Sequence, residues 1–419
     1  MNILLKSVEI IDSASDFNNL KKNILIEDGV IKRITDKDIK ADKVIESPNL
    51  KVSIGWFDMR ATMGDPGFEH REDIASISAA AAQGGFTEIA CLPNTKPVIQ
   101  HKDIVHYIKS SSLRHLVQIH PIAAVTKDAK GEDLTEMIDL HYAGAVAFSD
   151  GIKSLSNSDI LLKSLQYLQT FNGLLINHAE DSYVSLYGQM NEGKTSTILG
   201  FKGIPKLAEE LIIERDLRIL EYTGGKIHFP HISSPRSLDL IREAKNKGLR
   251  VTCDIAAYTL ALADTELESF NTNLKVNPPL RSKEDIAFFW KAITDDTIDA
   301  IVSDHLPQDE EGKNLEFDLA EFGMTGLETL FGVVNSYNKR IGLNRIIHKI
   351  TYSPREILSL PVPVIKEGAE ANLTVFDPDV EWVYGEKAIK SKSKNSPFMG
   401  HKLRGKAIAV FNKKKCIIN

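Results

Sequence analysis

Residues 52–59 read Val-Ser-Ile-Gly-Trp-Phe-Asp-Met, and residues 60–67 read Arg-Ala-Thr-Met-Gly-Asp-Pro-Gly. The first stretch has the length and composition of a buried β-strand. The second ends in Asp-Pro-Gly, three residue types that favour a turn. An acidic segment to Asp73 follows, and then a helix-like stretch, Ile74–Gln83. A strand, a turn and a helix in this order indicate an α/β unit.

The same unit recurs through the middle of the chain, where apolar runs alternate with amphipathic segments. Eight strands separated by helices predict an α/β fold of the TIM-like (β/α)8 barrel type. Polar residues directly after the strands would then lie at the end of the barrel where active sites form. The predicted strands are Val52–Met59, Thr87–Leu92, Val117–Ala123, Ala145–Phe148, Leu174–Asn177, Lys226–Pro230, Val251–Ile255 and Ala300–Ser303.

Both ends of the chain carry β-strand signals of a different kind. Near the N-terminus, the turn Glu27-Asp28-Gly29 separates two β-rich runs and predicts a hairpin. Near the C-terminus, Lys406–Phe411 and Lys415–Ile418 predict a second hairpin. We therefore expect a small β-sandwich domain built from residues 1–51 and 362–419, and a barrel formed by residues 52–361.

The composition of the 419 residues is that of a globular protein, with 42% hydrophobic and 26% charged residues. A net charge of -6 disfavours general nucleic-acid binding, which needs a basic surface. No apolar run approaches the roughly 20 residues of a membrane helix. The three cysteines are too few and too dispersed for a disulfide framework, so the expected location is the reducing cytoplasm.

Several chemically useful side chains come directly after predicted strands. His178 and His231 each close an apolar strand in consecutive βα units, and such residues would converge at one end of the barrel. A single histidine is usually a hydrogen-bonded structural residue, but the pair favours a site. Asn94 lies in a turn bracketed by prolines, and Asp150 could simply cap a helix. Asp304 follows the eighth strand.

The chain resembles the dihydroorotases of the amidohydrolase superfamily over nearly its whole length. The likeness rests on the strand ends described above and on further segments that recur in the same order. These are Met190–Gly193, Gly203–Pro205, Gly323–Thr329, Ser353-Pro354 and Ser391–Phe398.

The resemblance implies roles for individual residues. Asp150, His178 and His231 match metal ligands of the family. Asp304 matches the aspartate that binds metal and acts as general base toward the attacking water, a task that suits a carboxylate. The positions that match substrate-contacting residues are Asn94, Asn277 and Gly323.

Four positions depart from the family pattern, and all belong to the site. Arg60 and Thr62 stand where the family has a His-x-His zinc pair, Gly64 stands for an arginine that clamps the substrate carboxylate, and Gln308 stands for a histidine. One zinc position therefore lacks two ligands, whereas Asp150, His178 and His231 could still hold a single zinc ion. We expect Arg60 to pair with Asp304, Asp150 or both, replacing the lost cation.

Three functions follow from this pattern. The first is a degenerate dihydroorotase of pyrimidine biosynthesis with weak or no activity, serving in assembly with aspartate transcarbamoylase. The second is an active one-metal dihydroorotase or other cyclic amidase, acting on a small cyclic amide or a carbamoyl amino acid. The third is a non-catalytic binder of a small cyclic amide. The resemblance also implies a homodimer.

Overall fold

The computed structural model describes residues 2–338 and 341–419. The strands are β1 Asn2–Ile11, β2 Lys21–Glu27, β3 Val30–Thr35, β4 Lys43–Ile45, β5 Lys51–Ile54, β6 Trp56–Ala61, β7 Phe86–Cys91, β8 Gln118–Ala123, β9 Ala147–Phe148, β10 Leu175–Ile176, β11 Met190–Asn191, β12 Gly203–Ile204, β13 Ile227–Phe229, β14 Val251–Ala256, β15 Ala300–Val302, β16 Asn372–Val383, β17 Lys402–Asn412 and β18 Lys415–Ile418.

Helices cover most of the segments between the central strands. The α-helices are α1 Ile74–Gly84, α2 Lys102–Ser112, α3 Met137–Ala143, α4 Ser158–Gln169, α5 Lys194–Leu199, α6 Leu207–Thr223, α7 Pro235–Asn246, α8 Lys283–Thr294, α9 Glu310–Lys313, α10 Leu330–Tyr337, α11 Leu343–Lys349 and α12 Tyr352–Ile357. Within the described residues, no helix is both long and apolar enough to cross a membrane.

The central strands form one parallel sheet in the order β15-β14-β13-β10-β9-β8-β7-β6. A parallel bridge between Ala61 and His305 brings the end of β6 against the segment after β15. Two apolar layers cover the sheet. Residues such as Phe57, Ile122 and Val302 pack against one another on one face, and the other face packs against the helices. The carboxyl ends of the eight predicted strands thus meet in one place.

The two ends of the chain form a second sheet, in the order β18-β17-β16-β5-β1-β2-β3, with β4 paired to β1. Its core includes Leu5, Ile10, Val375 and Phe411, all buried. The pairing of β5 with both β1 and β16 joins the N-terminal and C-terminal strands directly.

The predicted strand Val52–Met59 is divided at Gly55. Its first part is β5 of the terminal sheet, and its second part belongs to β6 of the parallel sheet. Gly55 permits the close approach of neighbouring chains, because an added Cβ would lie 2.1 Å from both Thr87 Oγ1 and Asn372 Oδ1. The apolar run is continuous because both parts are buried, so composition did not reveal the change of sheet.

The acidic segment after the turn begins a helix. Asp73 is the N-cap of α1: its carboxylate accepts from the Ser76 amide at 2.7 Å, and the Ser76 hydroxyl accepts from the Asp73 amide. Gly85 ends the same helix in the left-handed conformation, with φ of 103°. The strand, turn and helix expected for residues 52–83 are therefore present, with the turn and loop placed directly at the carboxyl end of β6.

Candidate functional site

A cavity of about 430 Å³ opens at the carboxyl ends of the parallel strands, and we call it the strand-end cavity. Its size is within the range of small-molecule sites. Residues from the end of β6 and from the loops after β6, β7, β8, β9, β10, β14 and β15 line it. Among the residues with predicted roles, the lining includes Arg60, Thr62, Gly64, Asn94, His178, Asn277, Asp304 and Gln308.

The centre of this site is a buried ion pair between Arg60 and Asp304. The Nε atom of Arg60 donates to Asp304 Oδ1 at 2.8 Å, and the hydroxyl of Tyr258 donates to Asp304 Oδ2 at 2.6 Å. Burial and the charge of Asp304 raise the pKa of Tyr258 well above its ordinary value, so the phenol stays protonated as a donor. Each oxygen of the Asp304 carboxylate therefore already accepts a hydrogen bond from this chain.

Asp304 and His231 have backbone conformations that side chains other than glycine rarely adopt. Their φ angles are 47° and 41°, in the left-handed region. Each such conformation costs on the order of 1 kcal/mol, and strained residues of this kind cluster at active sites and ligand-binding sites. The loops that carry these two residues hold them in place. The Nη1 atom of Arg60 is buried beside them without a hydrogen-bond partner.

Asp150 lies apart from the Arg60 ion pair. Its Oδ1 accepts from the amides of Val125 and Thr126 at 3.0 Å, and its Oδ2 accepts from the Thr126 hydroxyl. Burial raises the pKa of Asp150, although these hydrogen bonds oppose the shift. Asn94 fixes the same turn: it donates to the Asp150 carbonyl at 3.1 Å and accepts from the Ile152 amide. Of the two partners expected for Arg60, the structure supplies Asp304 alone.

His178 and His231 are adjacent, with His178 Nδ1 3.3 Å from His231 Nε2. The other ring nitrogen of His178 donates to Glu180 Oε2 at 3.0 Å, and Asn277 donates to the same oxygen at 2.8 Å. Burial raises the pKa of Glu180, but the bond and charge of His178 outweigh it and lower the pKa to about 2. Burial, with the charge of Arg60, lowers the pKa of His231 well below its ordinary value, so His231 is neutral.

The other positions that the resemblance led us to regard as departures from the family pattern have defined surroundings. At Gly64, an added Cβ would lie 2.2 Å from Phe68 O and 2.4 Å from Glu72 O, so this loop has no room for a side chain there. The backbone of Thr62 donates to His305 O at 2.7 Å. Gln308 donates to Phe322 O at 2.8 Å, and its own amide oxygen is buried without a partner.

Gly323 follows Phe322 with φ of 129° and packs against Leu306, so that an added Cβ would lie 2.6 Å from Leu306 Cγ. A glycine is required there by both the conformation and the contact. Its carbonyl accepts from Asn395 at 3.2 Å. The loop after β15 is thereby held against the rim of the strand-end cavity.

Comparison with known proteins decides the family. Residues 51–237 match the Dihydro-orotase-like family model and residues 189–416 match the Amidohydrolase family model. The dihydroorotase of Pelotomaculum thermopropionicum is 39% identical over 97% of this chain and 96% of its own, and that of Citrifermentans bemidjiense is 40% identical over 97% of both. The chain belongs to the dihydroorotase family of amidohydrolases.

Solved structures of this superfamily share the fold of the dihydroorotase-family chain. An L-hydantoinase from Arthrobacter aurescens superposes with a TM-score of 0.86 at 22% identity, covering 100% of this chain and 96% of that one. A dihydropyrimidinase from Brevibacillus agri superposes with a TM-score of 0.84 at 18% identity, covering 100% of this chain and 95% of that one. The fold of these neighbours is a TIM barrel with a β-sandwich domain. The parallel sheet and the curled terminal sheet of this chain fit that architecture.

Amidohydrolases generally depend on metal, so the fit of this dihydroorotase-family site to zinc can be tested from its donors. Two nitrogen ligands of tetrahedral zinc lie about 3.3 Å apart, given zinc–nitrogen bonds of about 2.0–2.1 Å. The His178–His231 spacing meets that requirement. Asp150, however, is committed to Val125 and Thr126. Among the described residues, no group of three His, Cys, Asp or Glu side chains is placed to hold a metal, so the residues present do not complete a zinc site.

Two members of the site were not predicted from the sequence. Tyr258 lies two residues beyond β14, and a strand-end position was its only sequence signal. Glu180 comes two residues after His178, and an acidic residue so near a histidine could have been proposed as its partner. Both pair with residues that the resemblance had singled out. Tyr258 occupies one oxygen of Asp304, whereas Glu180 bonds Nε2 of His178 and leaves Nδ1 facing His231.

Proposed function

We propose that this dihydroorotase-family chain has weak or no hydrolytic activity, and that it serves pyrimidine biosynthesis as an assembly partner of aspartate transcarbamoylase. The observation that carries the first part is the Arg60–Asp304–Tyr258 arrangement. It supports a permanent internal cation at the position where the family pattern has the His-x-His zinc pair.

The chemistry of hydrolysis explains why this arrangement matters. A zinc ion binds a water and lowers its pKa to about 7, which supplies the nucleophile. A guanidinium carries the charge but has no open coordination position for a water. Asp304, the residue matching the general base, is engaged at both oxygens. The loop at Gly64 also excludes a side chain that could clamp a substrate carboxylate.

One observation favours a second function, a one-metal dihydroorotase or related cyclic amidase. The spacing of His178 and His231 suits two zinc ligands, and Asp150 would have to exchange its contacts with Val125 and Thr126 to become the third. Because an ion would then be held by three protein ligands with one position for water, this arrangement would resemble a catalytic zinc centre.

The decisive experiment measures zinc content after loading with zinc and removing the excess, with hydrolysis of dihydroorotate assayed on the same sample. We expect well below one zinc per chain and no turnover above a blank. About one tightly held zinc per chain together with turnover would establish the one-metal enzyme and refute the proposal. Binding of dihydroorotate without turnover, measured by calorimetry, would instead support the non-catalytic binder.

The assembly role needs a separate measurement. The tagged full-length chain is mixed with purified aspartate transcarbamoylase from the same organism, and the mass of the complex is measured by light scattering. We expect a defined complex of both chains. Two unassociated species at about 10 µM each, a concentration at which micromolar affinity would be visible, would contradict this part while leaving the hydrolysis question unaffected.

A further inference from the structure

A second cavity lies at the end of the parallel sheet where the strands begin, and we call it the strand-start cavity. Its volume is about 860 Å³, against about 430 Å³ for the strand-end cavity. Residues at or near the starts of β7, β8, β9 and β10 line it, together with β16 and the segment 358–364 that follows α12. Its size is in the range of small-molecule sites. None of the residues with a predicted role lines it, so it is separate from the site described above.

Apolar side chains form much of the wall of the strand-start cavity. Leu174 and Leu358 are buried in the core on one face of the parallel sheet, and both contribute to the lining. Phe171 stacks on His141 with ring centroids 4.7 Å apart, and Phe148 meets the same phenylalanine at 5.7 Å. A ligand with an apolar or aromatic body would therefore find complementary surface here.

The acidic residues of this lining, Glu88 and Glu370, are already paired. The Glu88 carboxylate accepts from Arg355 Nη2 at 2.7 Å and from His120 Nε2 at 2.8 Å. Glu370 lies at the surface, with its carboxylate 4.0 Å from Lys413 Nζ. Neither carboxylate therefore needs a cation from a ligand.

Positive charge in the lining is less fully paired. Lys109 and Lys366 both line the cavity, and within residues 2–338 and 341–419 neither forms an ion pair. The ammonium of Lys109 lies against the wall at Gly144, since a Cβ added to that glycine would be 2.0 Å from Lys109 Nζ. Two unpaired ammonium groups beside two paired carboxylates leave the cavity with an excess of positive charge, which favours an anionic ligand.

The segment 358–364 adds hydrogen-bond donors of the main chain. It reads Leu-Ser-Leu-Pro-Val-Pro-Val, and its two prolines carry no N–H. The amides of Val362 and Val364 make no hydrogen bond to any described residue, although both valines are half-buried in the lining. Since main-chain amides away from bulk water are usually bonded, these two donors are available to the anionic oxygens of a ligand.

One buried side chain of the lining also keeps an unused polar atom. His120 is 8% exposed, its ring stacks on Phe57 with centroids 5.4 Å apart, and its Nε2 is bonded to Glu88. The other ring nitrogen, Nδ1, has no hydrogen-bond partner among the described residues. Because the Glu88 carboxylate holds a proton on Nε2, Nδ1 of the neutral ring is an acceptor, and an N–H or O–H group of a ligand would satisfy it.

We propose that the strand-start cavity binds a small organic anion that has an apolar or aromatic body. Its carboxylate or phosphate would meet Lys109, Lys366 and the free amides of the segment 358–364, and its body would lie against the apolar wall. Because the parallel sheet and β16 of the terminal sheet both contribute to the lining, a bound anion would stabilise the two sheets together.

Fluorescence titration with anilinonaphthalene sulfonate, an aromatic anion with one N–H group, tests the proposal. Phenylnaphthylamine, the same molecule without the sulfonate, is its neutral counterpart. At an ionic strength of about 20 mM, where screening is weak, we expect saturable binding of the anion with a dissociation constant of about 1–100 µM. The variant Lys109→Gln/Lys366→Gln should raise that constant about 10-fold and leave binding of the neutral dye unchanged. Both lysines are exposed, so the unfolding midpoint should not change.

Lys283→Gln/Lys291→Gln is the matched control, because it removes the same charge from exposed positions on α8, outside the lining. It should leave both dissociation constants unchanged. Anion binding that is absent, that is equally strong in Lys109→Gln/Lys366→Gln, or that weakens equally in the control would overturn the proposal. None of these outcomes depends on zinc content or on hydrolysis of dihydroorotate.

Competition identifies the anionic group that the cavity prefers. Naphthoate and naphthyl phosphate each compete with the anionic dye on the wild-type chain, and the stronger competitor shows whether a carboxylate or a phosphate binds better. Failure of both at about 1 mM would reduce the signal to adsorption of the dye and would overturn the proposal.

Discussion

Two arginine–carboxylate pairs, both largely buried, lie at opposite ends of the parallel sheet, and they differ in the structures around them. At the amino-terminal end, Arg355 Nη2 donates to Glu88 Oε1 at 2.7 Å, and Glu88 also bonds His120 and Asn372. At the carboxyl-terminal end, Arg60 donates to Asp304 beside an open cavity. The first pair joins structural elements, whereas the second lies where the resemblance implies metal ligands.

The surroundings of the two pairs explain the difference. Asn372 belongs to β16, so the Glu88 network links the terminal sheet to β7 of the parallel sheet. The Arg355 side chain is fully buried and lies over the ring of Phe57 at 5.4 Å. Each arginine keeps one buried nitrogen without a hydrogen-bond partner, Nε in Arg355 and Nη1 in Arg60. The two pairs therefore differ in what they border: the Glu88 pair joins the two sheets, whereas the Arg60 pair lies beside the strand-end cavity.

The largest effect is expected from Arg355→Met. Removing the guanidinium leaves the Glu88 carboxylate buried without its permanent cation, which costs about 3–5 kcal/mol of unfolding free energy. Urea denaturation followed by circular dichroism would measure this difference in unfolding free energy between Arg355→Met and the wild type. Arg404→Met is the control, because Arg404 and Asp379 form an exposed pair that contributes at most about 0.5 kcal/mol. Similar losses in the two variants would remove the distinction between buried and exposed pairs.

A pH titration sharpens the structural half of the comparison. Burial raises the pKa of Glu88, but His120 and Arg355 outweigh it and lower the pKa to about 2. Since the folded pKa lies below the unfolded one, the stabilisation is present above about pH 4.5 and is lost as pH falls toward 2. As the pH falls from about 4.5 to about 2, the wild type should lose about 3 kcal/mol more unfolding free energy than the variant Glu88→Gln. If the unfolding free energy of the wild type and of Glu88→Gln fell equally with pH, Glu88 would not be the group responsible for the acid destabilisation.

A smaller effect is expected from Arg60→Met. Asp304 would keep its hydrogen bond from Tyr258, and water from the cavity could reach it. The unfolding free energy should therefore fall by about 1–3 kcal/mol. The ranking of Arg355→Met above Arg60→Met, measured in the same urea titration, is the critical result. If Arg60→Met cost more, the pair at the cavity would be the principal structural element, contrary to this account.

Much of the fold could be predicted from the sequence because burial and periodicity leave clear marks. All eight central strand candidates overlap strands of the parallel sheet, although Val52–Met59 also contains β5 of the terminal sheet. The change of sheet at Gly55 was missed because a close approach between Thr87 and Asn372 is a tertiary feature. A run of buried residues looks the same whichever sheet it joins.

The resemblance led us to expect several of the residues that line the strand-end cavity, but not Tyr258 or Glu180. Because the resemblance implies a metal ion beside this position, Arg60 was expected to pair with Asp304, Asp150 or both, and it bonds Asp304. The contacts of Asp150 could not be predicted, because they depend on amides of the loop after β8, at Val125 and Thr126. Tyr258 escaped notice since a tyrosine near a strand end usually only packs against its neighbours.

The most direct test of the central claim, that Arg60 takes the place of a metal ion, compares zinc binding by the wild-type chain and by the variant Arg60→His/Thr62→His. The double substitution removes the guanidinium, frees one oxygen of Asp304 and supplies two imidazoles at positions that line the same cavity. We predict that the variant gains about one zinc per chain after loading, measured by atomic emission, whereas the wild type binds far less. A wild-type chain that holds as much zinc as the variant would contradict the account.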